Sequence, residues 1–312
     1  MHDDEKYQYF VAHEFSKEGR IDLRSAIKDA FENTDLIPYY ADLEVRPEGA
    51  TKYILEKIKE KILATQFGIY DITTEKQNVF IELGIAIGFD KPYYIIRKID
   101  LNQKERKIPA DLEGIDRIEY EAYGELTGKI KELIVKPEVE RLRKRKALKN
   151  AIEKYEKLPE ETILNEGVNV YQSTVDFSHR FGEEVEDRDA HFGRAWLADL
   201  SSQSTHFIFG PYEALPSSRS DTYIALFKIK VNDNSPANRF IHFDVTSGNG
   251  SVKYSSRYIN KEEFEQPNKY QFFGVAFEYP GKGASIEYRI RNRTTFKSVK
   301  VWCDYIAIMK VV

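Results

Sequence analysis

One acid in this sequence stands alone in a long apolar run. Glu82 lies in the run Val79-Phe80-Ile81-Glu82-Leu83-Gly84-Ile85-Ala86-Ile87-Gly88-Phe89, a single acid among ten apolar or glycine positions. Removing a carboxylate from water without a partner is costly, so such a residue is paired, protonated or put to use. The plainer reading is an acid near a helix start, favouring the helix dipole with its side chain in water. Spacing alone does not choose between them. Other groups capable of chemistry fall after short apolar runs: His13, Phe15 and Ser16, then Asp71 and Thr73, then Asn78 at the expected N-cap of the helix carrying Glu82, then Arg97. His13 could move a proton, and Arg97 could pair with phosphate, although one Arg after a strand reads more readily as a surface charge.

The elements that must position these residues alternate in type. Residues 7–12 (YQYFVA), 36–41 (LIPYYA), 67–72 (FGIYDI) and 93–96 (YYII) read as short strands, with Pro38 marking a sheet edge. Between them, 23–33, 53–64 and 78–89 show helical spacing of apolar residues. A last strand is expected over 112–120 and a last helix over 126–134. Strand and helix in regular alternation predict a parallel sheet with helices on both faces, and in such sheets ligands lie beyond the carboxyl ends of the strands. That rule brings the candidates above to one rim.

Residues 137–158 form a charged helical stretch with Arg141, Arg143, Lys144, Arg145, Lys146 and Lys149. It reads first as a solvated linker, and second as a surface for an anionic partner. Beyond residue 165 the texture changes to alternating strands at 223–231, 240–245, 270–277, 285–290 and 299–310, separated by turns rich in Gly, Asn, Pro and Ser. That pattern predicts an antiparallel sandwich, with a jelly roll as the expected form. The organisation expected is an α/β domain over 1–135, a charged helical linker over 136–164 and a β-sandwich over 165–312.

Composition narrows the field. The 312 residues are 41% hydrophobic and 31% charged, with 47 basic and 51 acidic side chains for a net charge of −4. Real cores are affordable, and a globally basic nucleic-acid binder is not expected. Cys303 is the single cysteine, which excludes an internal disulfide and a multi-cysteine zinc site. The start has no signal-peptide plan and no apolar run suits a bilayer, so a soluble cytoplasmic protein is expected.

The segments FVAHEFS, DLRSAIKDAFE, PYYAD, GIYDIT and NVFIELGIAIG, in that order, resemble the nucleoside 2-deoxyribosyltransferase-like group and its TIR-like relatives over residues 7 to 134. The resemblance implies a flavodoxin-like parallel sheet and work on the N-glycosidic bond of a nucleoside, nucleotide or NAD, of nucleosidase or NADase type. It places the key acid at Glu82, with Asp71 holding ribose hydroxyls or orienting Glu82. His13, Phe15, Ser16, Thr73, Asn78 and Arg97 would bind substrate. A carboxylate beneath the sugar stabilises or captures the oxocarbenium-like state of such a reaction. No cofactor is required, NAD entering only as a substrate, and a homo-oligomer follows from the TIR-like relatives. A non-catalytic nucleotide sensor is the alternative. The stretches GRAWLAD, HFIFGPYEALPSSRSDTYIALFKIKV and VKVWCDYIAIMK are similar to carbohydrate-binding modules built as β-sandwiches, over about 168 to 312. That likeness implies a glycan- or protein-binding module with Trp196, Tyr212 and Asp304 as candidate ligand residues. Core packing competes for Trp302 and Tyr305. His179, His191 and His206, scattered among Asp187 and Asp189, are read as ordinary surface residues rather than a metal site.

Overall fold

The computed structural model describes residues 7–14, 20–40, 51–99, 112, 114–200, 205–234, 240–292 and 299–311. The chain divides into two compact units, Met1–Arg143 and Lys144–Val312.

In the first unit, β1 (Tyr7–Ala12), α1 (Arg20–Ala30), β2 (Leu36–Tyr40), α2 (Thr51–Ala64), β3 (Gly68–Asp71), α3 (Gln77–Gly88), β4 (Tyr93–Lys98), β5 (Ile118–Tyr120) and α4 (Tyr123–Ile130) follow one another. All strand pairs are parallel, in the order β2-β1-β3-β4-β5. This is the flavodoxin-like winding, and the proline-bearing β2 is an edge strand as expected. Alternation along the strands separates two cores. Tyr9, Val11 and Ile69 pack under Leu23 and Ile27 of α1 and Leu126 and Ile130 of α4. Phe10, Ala12 and Tyr70 pack under Ile62 of α2 and Val79, Leu83 and Ala86 of α3.

Two boundaries differ from expectation. Among the described residues of the stretch 112–120, the strand is Ile118–Tyr120, because Gly114 and Asp116 favour a turn before it. The last helix also does not stop before Pro137. Residues Lys131–Val135 form a π-helical turn that leads directly into α5 (Lys136–Glu156). A proline lacks the N–H and crowds the carbonyl four residues back. The wider π turn, with bonds reaching five residues, takes up that misfit, and Pro137 falls in the first turn of α5, where it is tolerated.

The second unit adds α6 (Glu160–Glu166) and eleven strands: β6 (Asn169–Gln172), β7 (Ser178–His179), β8 (Glu183–Glu186), β9 (Arg194–Asp199), β10 (His206–Ala214), β11 (Asp221–Val231), β12 (Ile241–Ser247), β13 (Val252–Ile259), β14 (Gln271–Tyr279), β15 (Ser285–Asn292) and β16 (Lys300–Lys310). They make two antiparallel sheets, β13-β12-β15-β10-β7 and β14-β11-β16-β9-β8, with β6 paired to β16. Their inner faces share one core that includes Phe227, Phe243, Tyr288, Ile306 and the lone Cys303. This is a jelly-roll sandwich.

The first half of strand β11 is apolar on both faces because its outer face is also covered there. Ile224 and Leu226 meet Ile152, Tyr155 and Ile163 from α5 and α6. Gly274 allows that approach: a Cβ there would lie 2.9 Å from the Ile152 side chain. The backbone N–H of Gly274 and the Arg257 guanidinium both donate to Glu156 Oε1, at 2.7 and 2.5 Å. Ile152 and Tyr155 thus give the charged stretch a packing face on the sandwich. Among the described residues, no helix is long and apolar enough to cross a membrane.

Candidate functional site

Glu82 is the sixth residue of α3, and its side chain is buried at 5% exposure on the face that packs against β3. The solvated reading of this acid therefore does not hold. Burial raises its carboxyl from the ordinary value to about 7. Among the described residues no hydrogen bond or ion pair of Glu82 is found, and the nearby Tyr70 hydroxyl is buried without a hydrogen-bond partner. Tyr70 can lie where it does because residue 68 is glycine: a Cβ there would fall 2.4 Å from the ring. The sequence thus sets a phenol and a carboxyl together in an apolar layer.

Asp71 ends β3 and is also buried. By strand alternation it faces the side of Ile69, not that of Tyr70. Its Oδ1 accepts from the Thr73 backbone N–H at 3.1 Å and from the Thr73 hydroxyl. Thr73 Oγ1 accepts in turn from the Lys98 N–H at 2.8 Å, tying the ends of β3 and β4 together. Burial raises the Asp71 carboxyl, and Thr73 works against that rise. No hydrogen bond joins Asp71 to Glu82 among the described residues.

At the end of β1, Arg24 Nε donates to His13 Nε2 at 3.0 Å, and His13 Nδ1 lies 2.6 Å from the Glu14 carbonyl. A guanidinium only donates, so Nε2 carries the lone pair and Nδ1 carries the proton. His13 is held neutral. The Arg24 guanidinium also covers the Tyr40 ring at 4.2 Å. Glu14 is paired with Lys76 at 2.9 Å, and this hydrogen bond lowers its carboxyl. Phe15 and Ser16 lie outside the described residues.

Asn78 is not the N-cap. That position is Lys76, without a side-chain cap, and Asn78 is the second, exposed residue of α3. The helix begins two residues earlier than its apolar period suggests, because periodicity marks the buried face and not the start. Arg97 lies 3.6 Å from Glu119 on β5. Arg24, Tyr40 and Lys76 were not among the expected site residues. Arg24 sits four residues before Lys28 in a charged helix and gave no signal of its own.

In the sandwich, Trp196 stacks on His179 with ring centroids 3.5 Å apart and donates its indole N–H to the Phe181 carbonyl. Asp304 is fully buried, 2.9 Å from Lys228 Nζ, and accepts from the His191 N–H at 2.7 Å. Lys228 also reaches Glu160 of α6 at 2.5 Å. Tyr305 is fully buried under the same helices. Tyr212 is exposed, at φ 67°, beside a recess of about 210 Å³ lined by Arg180, His206, Phe209, Asn249, Glu287 and Arg289. Among the described residues no cluster of His, Cys, Asp and Glu is arranged to hold a metal.

No protein-family model matches the chain, and no curated protein matches it. Solved structures are similar to parts of it. A 2-desoxiribosyltransferase from Leishmania mexicana is 12% identical, with a TM-score of 0.32, covering 41% of this chain and 99% of that one. A carbohydrate-binding module from a Cellvibrio mixtus lichenase, in complex with cellotriose, is 8% identical at a TM-score of 0.32, covering 47% and 99%. The C-terminal module of a marine laminarinase from Zobellia galactanivorans is 10% identical at 0.30, covering 46% and 98%.

Proposed function

We propose that the first unit cleaves or transfers the N-glycosidic bond of a nucleoside, nucleotide or NAD, and that the second unit is a ligand- or partner-binding module. The observation that carries the reading is Glu82: a carboxyl buried in an apolar layer, with its pKa moved to about 7 and no partner among the described residues. Once ionised, such a group is a strong local source of negative potential, which is what an oxocarbenium-like sugar requires. Asp71 is the second acid, fixed by Thr73 at the end of the neighbouring strand, where ligands of parallel sheets bind. The base and the sugar are chosen by residues at the strand ends, with His13 as a neutral hydrogen-bonding group rather than an acid.

The test is incubation with nucleosides, nucleoside monophosphates and NAD, measuring free base. Wild type should release base from at least one class, and Glu82→Gln should lower kcat at least a hundredfold. Release that the substitution leaves unchanged, or no release by wild type from any class, overturns the reading. Because Glu82 must lose its proton to act, kcat/KM should climb with pH and level off above about 7.

A further inference from the structure

Helix α5 changes character along its length. Its packed residues lie towards the two ends: Glu138 and Leu142 near the start, then Ile152 and Tyr155 against the sandwich towards the finish. Near those ends bases meet acids. Arg141 Nη2 lies 2.5 Å from Glu138 Oε2, and Arg257 Nη1 lies 2.5 Å from Glu156 Oε1. The middle is different. From Arg141 to Ile152 the sequence holds Arg141, Arg143, Lys144, Arg145, Lys146 and Lys149 and no acid. All of these but Arg141 are exposed, as are Ala147 and Asn150 among them.

A helix surface that only meets water gains from opposite charges three and four residues apart, and loses from like ones. Here one sign recurs at those spacings: Arg141 with Arg145, Arg145 with Lys149, Arg143 with Lys146, and Lys146 with Lys149. Among the described residues no ion pair of Arg143, Lys146 or Lys149 is found, so the chain does not neutralise these three. Acids are not scarce, since the sequence has 51 of them against 47 bases. They are kept out of this segment.

The charges also have a density and a distribution. Successive helical residues turn by roughly 100°, so Arg143 and Arg145 stand roughly 200° apart about the axis, as do Lys144 and Lys146. The cations surround the helix and do not form one stripe. Residues 143 to 149 rise by about 9 Å, which for five cations is one per roughly 1.8 Å. Double-stranded DNA carries one phosphate charge per about 1.7 Å of its axis, and a single strand half that density. Its major groove is about 12 Å wide with phosphates along both walls, and an α-helix is about 10–12 Å across. A bilayer surface, being flat, would meet one side of the helix only.

We infer that the basic middle of α5 binds the phosphate backbone of double-stranded DNA, without choosing a base sequence. Lys and Arg neutralise phosphates and release the counterions held on the duplex, contacts that fix position and carry no sequence information. The inference is independent of chemistry at Glu82 and of any ligand of the sandwich.

The test is fluorescence anisotropy of the full chain with a labelled duplex of about 20 base pairs, repeated from about 50 to about 200 mM salt. Affinity should fall with salt at a slope of about −4 in log K against log[salt], the value for four to five neutralised phosphates. Arg143→Glu with Lys146→Glu, both at exposed side chains, should weaken binding at least tenfold and make the slope shallower by about 2, with Tm unchanged. Lys253→Glu with Lys300→Glu makes the same change in net charge at exposed positions of the sandwich and should bind like wild type. The single strand of the same sequence, and vesicles of phosphatidylserine with phosphatidylcholine, should each bind at least fivefold more weakly than the duplex. No duplex binding at about 50 mM salt, an equal loss in the sandwich control and the α5 variant, or a single strand or vesicle bound as tightly as the duplex would each overturn the inference. Glu82→Gln should bind the duplex like wild type, so a failure here and a failure of base release are told apart.

Discussion

The carboxyl of Glu82 carries a cost that depends on pH. In the folded chain it holds its proton up to about pH 7, whereas in the unfolded chain it releases it near 4.5. Between those values the folded state binds the extra proton, so stability falls as pH rises, and above 7 the full penalty remains. At about 1.4 kcal/mol per unit, the shift amounts to about 3 kcal/mol. Glu82→Gln removes the ionisation and keeps the shape. The variant should match wild type in unfolding free energy from denaturant melts at pH 4.5 and exceed it by up to about 3 kcal/mol at pH 8. Equal stabilities at both pH values would mean that the acid is solvated or paired. A residue kept in place against such a penalty is the pattern expected when stability is traded for activity. The position was legible from sequence because one acid interrupted a long apolar run. Its partnerless state was not, since pairing depends on strands and helices that meet only in the fold.

Elements are held by a second kind of buried charge. Lys228 on β11 joins Asp304 on β16 to Glu160 on α6, and Tyr305 also donates to Glu160 at 3.0 Å. Replacing Lys228 with Ala strands Asp304 without a cation and should cost about 3–5 kcal/mol, while the double change Lys228→Met with Asp304→Leu should recover most of it. Urea melts of the single and double variants check both numbers, and a single variant as stable as the double would disprove the coupling. The element order of the first unit could be read directly, because apolar periods of two and of 3.6 alternate there without conflict. The sandwich was legible in five of its strands, among them the long β11 and β16. Strands such as β8 (EEVE) and β13 (VKYSSRYI) were missed, since edge strands facing water carry no apolar alternation. The charged recess was missed for a related reason. Asp244, Glu287 and Arg289 come from strands far apart in sequence, although acids and bases at every second position of SIEYRIRN were a signal that one face of that strand is polar by design.

At the scale of the molecule, each unit has its own apolar clusters. Small single domains unfold in one step, but a chain of two units does not have to. Differential scanning calorimetry at pH 8 should resolve more than one component, and Glu82→Gln should move only one of them upward. A single two-state transition, shifted as a whole by that substitution, would show that the cores melt together. Cys303 gives this behaviour a chemical counterpart. Its sulfur is completely enclosed in the sandwich, and burial pushes its thiol well up, away from the reactive thiolate. As the sole sulfhydryl in 312 residues, it makes the protein its own sentinel: a maleimide dye is shut out while the sandwich is intact, attaches at one atom once that half opens, and is blind to every opening of the other.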